Sequence, residues 1–183
     1  IANDKAYKGL AYNGPSVDEV CLLEVSQKTG ISDFVTRDSD TVTINLRGKK
    51  ETYDVIKIFG FTSERKCMSV VLRHPNKAGK ALCFVKGADS SVFPQCQKFN
   101  EARADIDPNH PNCKIHEVED KVEEKAATGL RTLLYGMKEI DWSDDSDPMD
   151  LKFEDIESDL TLLGATAVED LLQENVKECI MDF

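Results

Sequence analysis

The sequence predicts an α+β fold, a mainly antiparallel, twisted β-sheet flanked by helices. Three observations carry this. Short apolar runs follow one another through residues 34–86, separated by turn residues rather than helices, which favours antiparallel neighbours. Two of them, 67–73 and 80–86, flank the loop His74-Pro75-Asn76-Lys77-Ala78-Gly79 and make the clearest hairpin. Helical stretches with recognisable start and stop signals lie before and after the strands.

Taken in order, Asn13-Gly14-Pro15 is turn chemistry. Ser16-Val17-Asp18-Glu19 reads as a capping box, with Ser at the N-cap and Glu three residues on. A helix is expected from there to about Thr29, ended by Gly30. Strands are expected at 34–37, 41–47 and 52–61, with Gly48 in the turn between the last two. In the hairpin, Met68, Val70 and Leu72 alternate with Val71, and Leu82 and Phe84 alternate with Cys83 and Val85. Both faces are apolar, so the hairpin belongs in the middle of a covered sheet. Helices are expected at 88–100 and 117–128, the second carrying Val118, Val122 and Ala126 and ended by Gly129. Residues 130–137 return as a strand, and 101–116 read as a polar, Pro-containing loop. Residues 141–159 carry nine Asp or Glu and one Lys and are expected to be a solvated loop and helix. A strand start at 160–168 and a helix at 169–180 close the chain.

At 183 residues and 40% hydrophobic content the chain is the size of one domain with a real core. The formal net charge of -11 argues against nucleic acid or an anionic membrane surface as partner, because both need clustered Lys and Arg. The six cysteines form no C-x-x-C and are not spaced with the three histidines as zinc ligands would be, so no metal site is expected. Free thiols imply a reducing, cytosolic setting. No apolar run approaches the ~20 residues of a membrane span. Ile1 is not an initiator Met, and both ends read as cuts in a longer protein; the isolated domain is expected to be a monomer.

The chemistry concentrates in Phe61-Thr62-Ser63-Glu64-Arg65-Lys66-Cys67-Met68-Ser69 and Lys86-Gly87-Ala88-Asp89. Symmetric pairing around the hairpin loop sets Arg73 opposite Lys80 and Cys67 opposite Lys86. Arg65, Lys66 and Lys86 then converge at one end of the hairpin, with Phe61 beside them. That suits an anionic, planar ligand such as a nucleotide, each charge-assisted hydrogen bond contributing ~1.5–3 kcal/mol. Spacing alone leaves ordinary solvated strand ends as an equal reading. Gly87 allows close backbone approach or a positive φ, or is a simple strand-to-helix turn. Glu19 belongs to the capping box and could also accept from an exocyclic amine. Arg131 could bind phosphate or be a surface charge. His74, His110 and His116 read as surface loop residues. No P-loop, G-x-G-x-x-G or G-x-S-x-G is present, and no catalytic residue is expected.

Phe61-Thr-Ser-Glu-Arg-Lys-Cys-Met-Ser-Val, Lys86-Gly-Ala-Asp and Gly129-Leu-Arg-Thr-Leu occur in an order that resembles the nucleotide-binding domain of P-type ATPases. Tyr12-Asn-Gly-Pro-Ser-Val-Asp-Glu, the K-G-A-D form and Leu162-Leu-Gly-Ala-Thr-Ala-Val-Glu-Asp-Leu-Leu-Gln resemble the phospholipid-transporting (flippase) class. The resemblance spans about residues 12–173, with 101–116 and 141–159 as variable insertions. It implies that Phe61 stacks on adenine and that Lys86 sits deep beside base and ribose. It implies that Glu19 meets the adenine amine, that Lys66 and Arg131 lie near ribose and phosphates, and that Thr62, Ser63, Met68 and Gly87 line the site. Val17 stands where the family has Pro in S-P-D-E, and Cys67 where flippases commonly have a basic residue.

The resemblance also implies a division, with 1–159 as nucleotide-binding domain and 160–183 as the start of the hinge and phosphorylation-domain segment. The ligand would be ATP, with Mg2+ arriving on the nucleotide mainly through the phosphorylation domain. The partners would be the phosphorylation and actuator domains of the same parent chain. Phospholipid and membrane would be met only through those other parts, making this the cytosolic domain of an integral membrane protein. D-K-T-G-T, T-G-D and G-D-G-x-N-D are absent, and Lys28-Thr29-Gly30 follows Gln27 rather than Asp. The expectation is ATP binding without turnover. The rivals are the same domain of a cation pump, and an acidic interaction module with a vestigial nucleotide pocket.

Overall fold

The computed structural model describes residues 12, 16–143 and 145–169. Among the described residues seven strands form one sheet in strict chain order, each antiparallel to the next. They are β1 (Ser32–Arg37), β2 (Thr41–Leu46), β3 (Lys49–Phe59), β4 (Cys67–Arg73), β5 (Lys80–Gly87), β6 (Arg131–Asp141) and β7 (Thr161–Val168). The helices are α1 (Val17–Lys28), α2 (Asp89–Gln95), α3 (Ile115–Ala127) and the single turn α4 (Phe153–Ile156). The α+β class and the antiparallel sheet flanked by helices are as the sequence predicts.

Local chemistry explains the element ends. The Ser16 hydroxyl accepts the Glu19 amide at 3.4 Å, the N-cap half of the expected capping box, while the Glu19 carboxylate goes to Lys86. The turn between β2 and β3 uses Arg47 and Gly48, both at positive φ (49° and 86°), the pattern of a type I′ hairpin. Asn13-Gly14-Pro15 and the expected helix after residue 169 lie outside the described residues.

The central hairpin has the expected strands in a different register. Cys67 pairs with Gly87, Met68 with Lys86 and Arg73 with Ala81, one residue from the symmetric pairing. The loop closes at the His74 amide, which donates to the Lys80 carbonyl at 3.0 Å, with Gly79 at φ +74°. Because side chains alternate, one residue of slip decides which face each occupies. Cys67, Ser69 and Val71 turn to the same face as Ala81, Cys83 and Val85, and all six are buried. Met68, Val70, Phe84 and Lys86 go to the other face and are only half-buried. The hairpin does lie mid-sheet, but only one of its faces is fully covered.

The covered face carries the core. Val92 and Phe93 of α2, Ile115 and Val122 of α3, and Ile156 of α4 pack with the hairpin, Leu134 and Leu160. Burial raises the Cys83 and Cys96 thiols to about 12, so they behave as small hydrophobes.

Three expectations need correction here. The helix expected to reach residue 100 stops at Gln95, because Pro94 removes a donor in its last turn and the next residues pair elsewhere. The Gln97 amide donates to the Leu160 carbonyl (3.0 Å), and the Leu160 amide to the Gln95 carbonyl (2.9 Å). The 101–116 loop is not merely polar. Asn112 is 2% exposed and donates to the Gln97 and Leu160 carbonyls (2.8 and 2.9 Å) while accepting the Leu162 amide (2.8 Å). The acidic 141–159 segment is not simply solvated either, since Trp142, Ile156 and Glu157 are buried. Lys57 Nζ gathers the Pro148 and Leu151 carbonyls (2.7 and 2.8 Å) and ties the segment to β3.

β7 pairs with β6 from Arg131–Val168 to Met137–Thr161, so residues 161–168 share the sheet. Among the described residues no helix is long and apolar enough to cross a membrane.

His116 is not a plain surface residue. Its Nδ1 meets the Glu119 carboxylate and its Nε2 the Glu101 carbonyl, both at 2.9 Å, and its ring stacks on Phe99. Two acceptors favour the doubly protonated ring, and the Glu119 bond, then the Glu101 carbonyl, raise its pKa. The unfolded value is ~6.5, so this stabilisation is complete below that pH and is lost as pH rises through the folded value. Thermal unfolding midpoints should therefore fall from pH 6 to pH 9, and His116→Gln should remove that component of the slope. Gly87 has no room for a side chain: a Cβ there would lie 2.5 Å from Cys67 Cβ and 2.6 Å from the Lys66 carbonyl. Gly87→Ala should cost about 2–3 kcal/mol of stability in urea unfolding, as overpacking does.

Candidate functional site

Antiparallel order brings the start of β4, the end of β5 and the start of β6 side by side. The loop between β3 and β4 overhangs them, and the first turn of α1 faces them. Between these parts lies a cavity of about 650 Å³. Of the residues expected to form a site, Glu19, Phe61, Lys66, Met68, Lys86, Gly87 and Arg131 line it. A smaller hollow of about 260 Å³ continues along the half-buried sheet face past Met68, Phe84, Tyr135 and Leu163.

Thr62 and Ser63 are not among the lining residues. Thr62 builds the turn that aims its neighbours. Its hydroxyl accepts the Arg65 amide (3.2 Å) and its carbonyl the Lys66 amide (2.8 Å). Lys66 takes φ +53°, and its carbonyl accepts the Ala88 amide at 3.0 Å. That bond and the bare Gly87 let the two backbones touch. Arg65, expected to converge with Lys66 and Lys86, points away and pairs with Glu157 at 2.5 Å. Consecutive residues of this turn thus serve opposite sides of the sheet.

The site's charges come with partners. Lys86 Nζ lies 2.6 Å from Glu19 Oε1, and Arg131 Nη2 lies 3.0 Å from Asp18 Oδ2. Both carboxylates belong to the first turn of α1, where the helix dipole also favours them. Phe61 stands 64% exposed at the rim, a large aromatic face turned to solvent. Asp18 is the residue the sequence reading missed. It lines the cavity, and its Oδ1 is buried yet accepts no hydrogen bond among the described residues. An orphan buried acceptor is costly unless something donates to it. The one available signal was its place beside Glu19 on the same helical turn. Ser16, Ala88, Thr132 and Leu133 complete the lining.

The site therefore offers an aromatic platform, three cationic side chains, an acceptor with no donor among the described residues, and a point of close backbone approach. A planar, anionic ligand that also carries hydrogen-bond donors matches that set. Trp142 sits at the opposite end of β6, whose 11 residues span on the order of 35 Å. It reports on the fold rather than on this cavity.

Comparison with known proteins agrees with the architecture. Residues 10–175 match the family described as P-type ATPase, cytoplasmic domain N. A mouse protein named phospholipid-transporting ATPase IC is 32% identical over 186 residues, covering 92% of this chain and 14% of the mouse protein. A phospholipid-transporting ATPase of Schizosaccharomyces pombe is 34% identical over 194 residues, covering 97% of this chain and 14% of its own length. Phospholipid-transporting ATPase 1 of Arabidopsis thaliana is 33% identical over 196 residues, with 97% and 16% covered. The chain thus spans about one seventh of the length of the relatives it matches. It belongs to the P-type ATPase family as a cytoplasmic domain N, similar throughout to proteins named phospholipid-transporting ATPases.

Proposed function

We propose that this chain binds ATP on behalf of a phospholipid-translocating P-type ATPase and presents it to the phosphorylation domain of the same parent chain. The observation that carries the reading is the gathering of Phe61, Lys66, Lys86 and Arg131 around one cavity that also contains the orphan acceptor of Asp18. Phe61 offers its exposed face to the adenine. Lys86 reaches toward base and ribose, and Lys66 and Arg131 toward the phosphates. Glu19 and Asp18 accept from the amine and hydroxyl donors of the nucleoside. Mg2+ would neutralise phosphate charge, mainly with ligands from the phosphorylation domain.

The donor set fits the nucleotide, and it has a consequence for affinity. Lys86 and Arg131 already have carboxylate partners in Glu19 and Asp18, so a phosphate gains less than it would from free cations. Binding to this domain alone is therefore weak, around millimolar, equivalent to ~4 kcal/mol. Phosphoryl transfer needs positioning and charge neutralisation that the phosphorylation domain would complete, so the isolated chain does not turn over. The parent would be an integral membrane protein with this domain in the cytosol and with residues 160–183 leading back toward the hinge. The names of the relatives favour a lipid pump over a cation pump.

Isothermal or NMR titration with ATP tests this. Lys86→Ala should weaken binding about tenfold, or ~1.4 kcal/mol, and Phe61→Ala should remove ~1–3 kcal/mol of stacking. Lys77→Ala, in the hairpin loop at the other end of the sheet, should change nothing. An unchanged affinity in Lys86→Ala would overturn the assignment.

A further inference from the structure

We propose that Glu157, in the acidic 141–159 segment, is a positioning residue for the nucleotide loop and acts through Arg65. The inference rests on the ATP-binding reading above. Glu157 lies outside the cavity lining, so it touches no ligand there. Its side chain is 4% exposed and that of Arg65 12%. Buried charges of this kind persist only when paired and fully hydrogen-bonded.

The pairing is complete and specific. Glu157 Oε1 receives Arg65 Nη1 at 2.5 Å and the Ser69 hydroxyl at 2.7 Å, while Oε2 receives the Cys67 thiol at 3.5 Å. The other terminal nitrogen of Arg65 donates to the Gly60 carbonyl. The guanidinium lies 4.7 Å from the centre of the Phe153 ring, which meets Phe59 edge-on. The Arg65 carbonyl is held in turn by the Ser91 hydroxyl at 2.5 Å.

The consequence is geometric. Gly60 immediately precedes Phe61, and Arg65 immediately precedes Lys66. One guanidinium therefore fastens both ends of the loop that presents the aromatic platform and a cation to the cavity. Glu157 fixes that guanidinium from behind. The acidic segment is itself held to β3 through Lys57, so the anchor is not a dangling one. The nucleotide face is thus shaped from the opposite side of the sheet. Only a planar, forked donor spans both acceptors, which lysine cannot do.

The test uses the 183-residue chain with Glu157→Gln and Arg65→Lys. Amide exchange by NMR is read without ligand at Arg65, Lys66 and Ala88, and ATP is titrated in parallel. The proposal expects exchange at those three amides to quicken about tenfold or more while β5 and β6 stay protected. It expects ATP affinity to fall about fivefold to tenfold, a change of the size one well-placed charged hydrogen bond controls. Arg65→Lys keeps a cation opposite Glu157 and gives up only the second acceptor, so it carries the test if Glu157→Gln does not fold. A general loss of packing would speed exchange throughout the sheet and would count against positioning. Wild-type exchange at Lys66 and Ala88 in either folded variant would overturn the proposal. Failure of the wild-type chain to bind ATP would instead sink the function reading, and the exchange data would still decide the positioning role.

Discussion

The close approach of two backbones at Gly87 is the constraint on which the site depends. No side chain fits between Gly87 and the Lys66–Cys67 backbone. That contact is also where the β4–β5 ladder ends, with Cys67 opposite Gly87 and the Ala88 amide on the Lys66 carbonyl. The register is fixed there, and the register assigns faces. Cys67, Ser69 and Val71 enter the core, while Met68 and Lys86 stand opposite each other on the cavity side. A shift of one residue would bury Lys86 and expose the core.

The two sides of the sheet divide the charge between them. Arg65 and Lys66 are neighbours in the chain but face a buried carboxylate and an open cavity respectively. A buried ion pair contributes little net stability once desolvation is counted, but breaking it is expensive. Its value here is the geometry it enforces on the Gly60–Lys66 turn. α1 buries only Gln27 fully; Glu19–Lys86 and Asp18–Arg131 hold its first turn to the cavity, and the Ser26–Ser32 hydroxyl bond of 2.8 Å ties its last turns to β1. Each pair joins a partly buried group to a more exposed one, so each is only partly screened by solvent. On the proposed reading, an incoming anion would exchange one set of partners for another, so that a chain of net charge -11 could offer a cationic pocket.

What was legible in the sequence was local. The Ser16 cap, the turn at Gly48 and the strands of the hairpin follow from short-range chemistry, and Phe61 and Lys86 were visible as an aromatic and a cation beside strand ends. The register was not legible, because the hairpin loop tolerates closures that differ by one residue and only the Gly87 contact selects one. The end of α2 was hidden because Gln95 and Gln97 bond to Leu160, far along the chain. Glu157 read as one acid among nine because its partner Arg65 is 92 residues away. Asp18 was absorbed into the helix start, where an acid needs no further reason. Each miss is a long-range pairing that overrode a plausible local reading.

On the proposed function, ATP meets one end of one face of the sheet. Backbone amide shifts followed through an ATP titration test that most directly. Changes should be confined to residues 16–19, 61–68, 86–88 and 131–133, with residues 77–82 and 138–142 at the far end unmoved. Saturable shifts centred on the far end, or on the 101–116 loop, would contradict it.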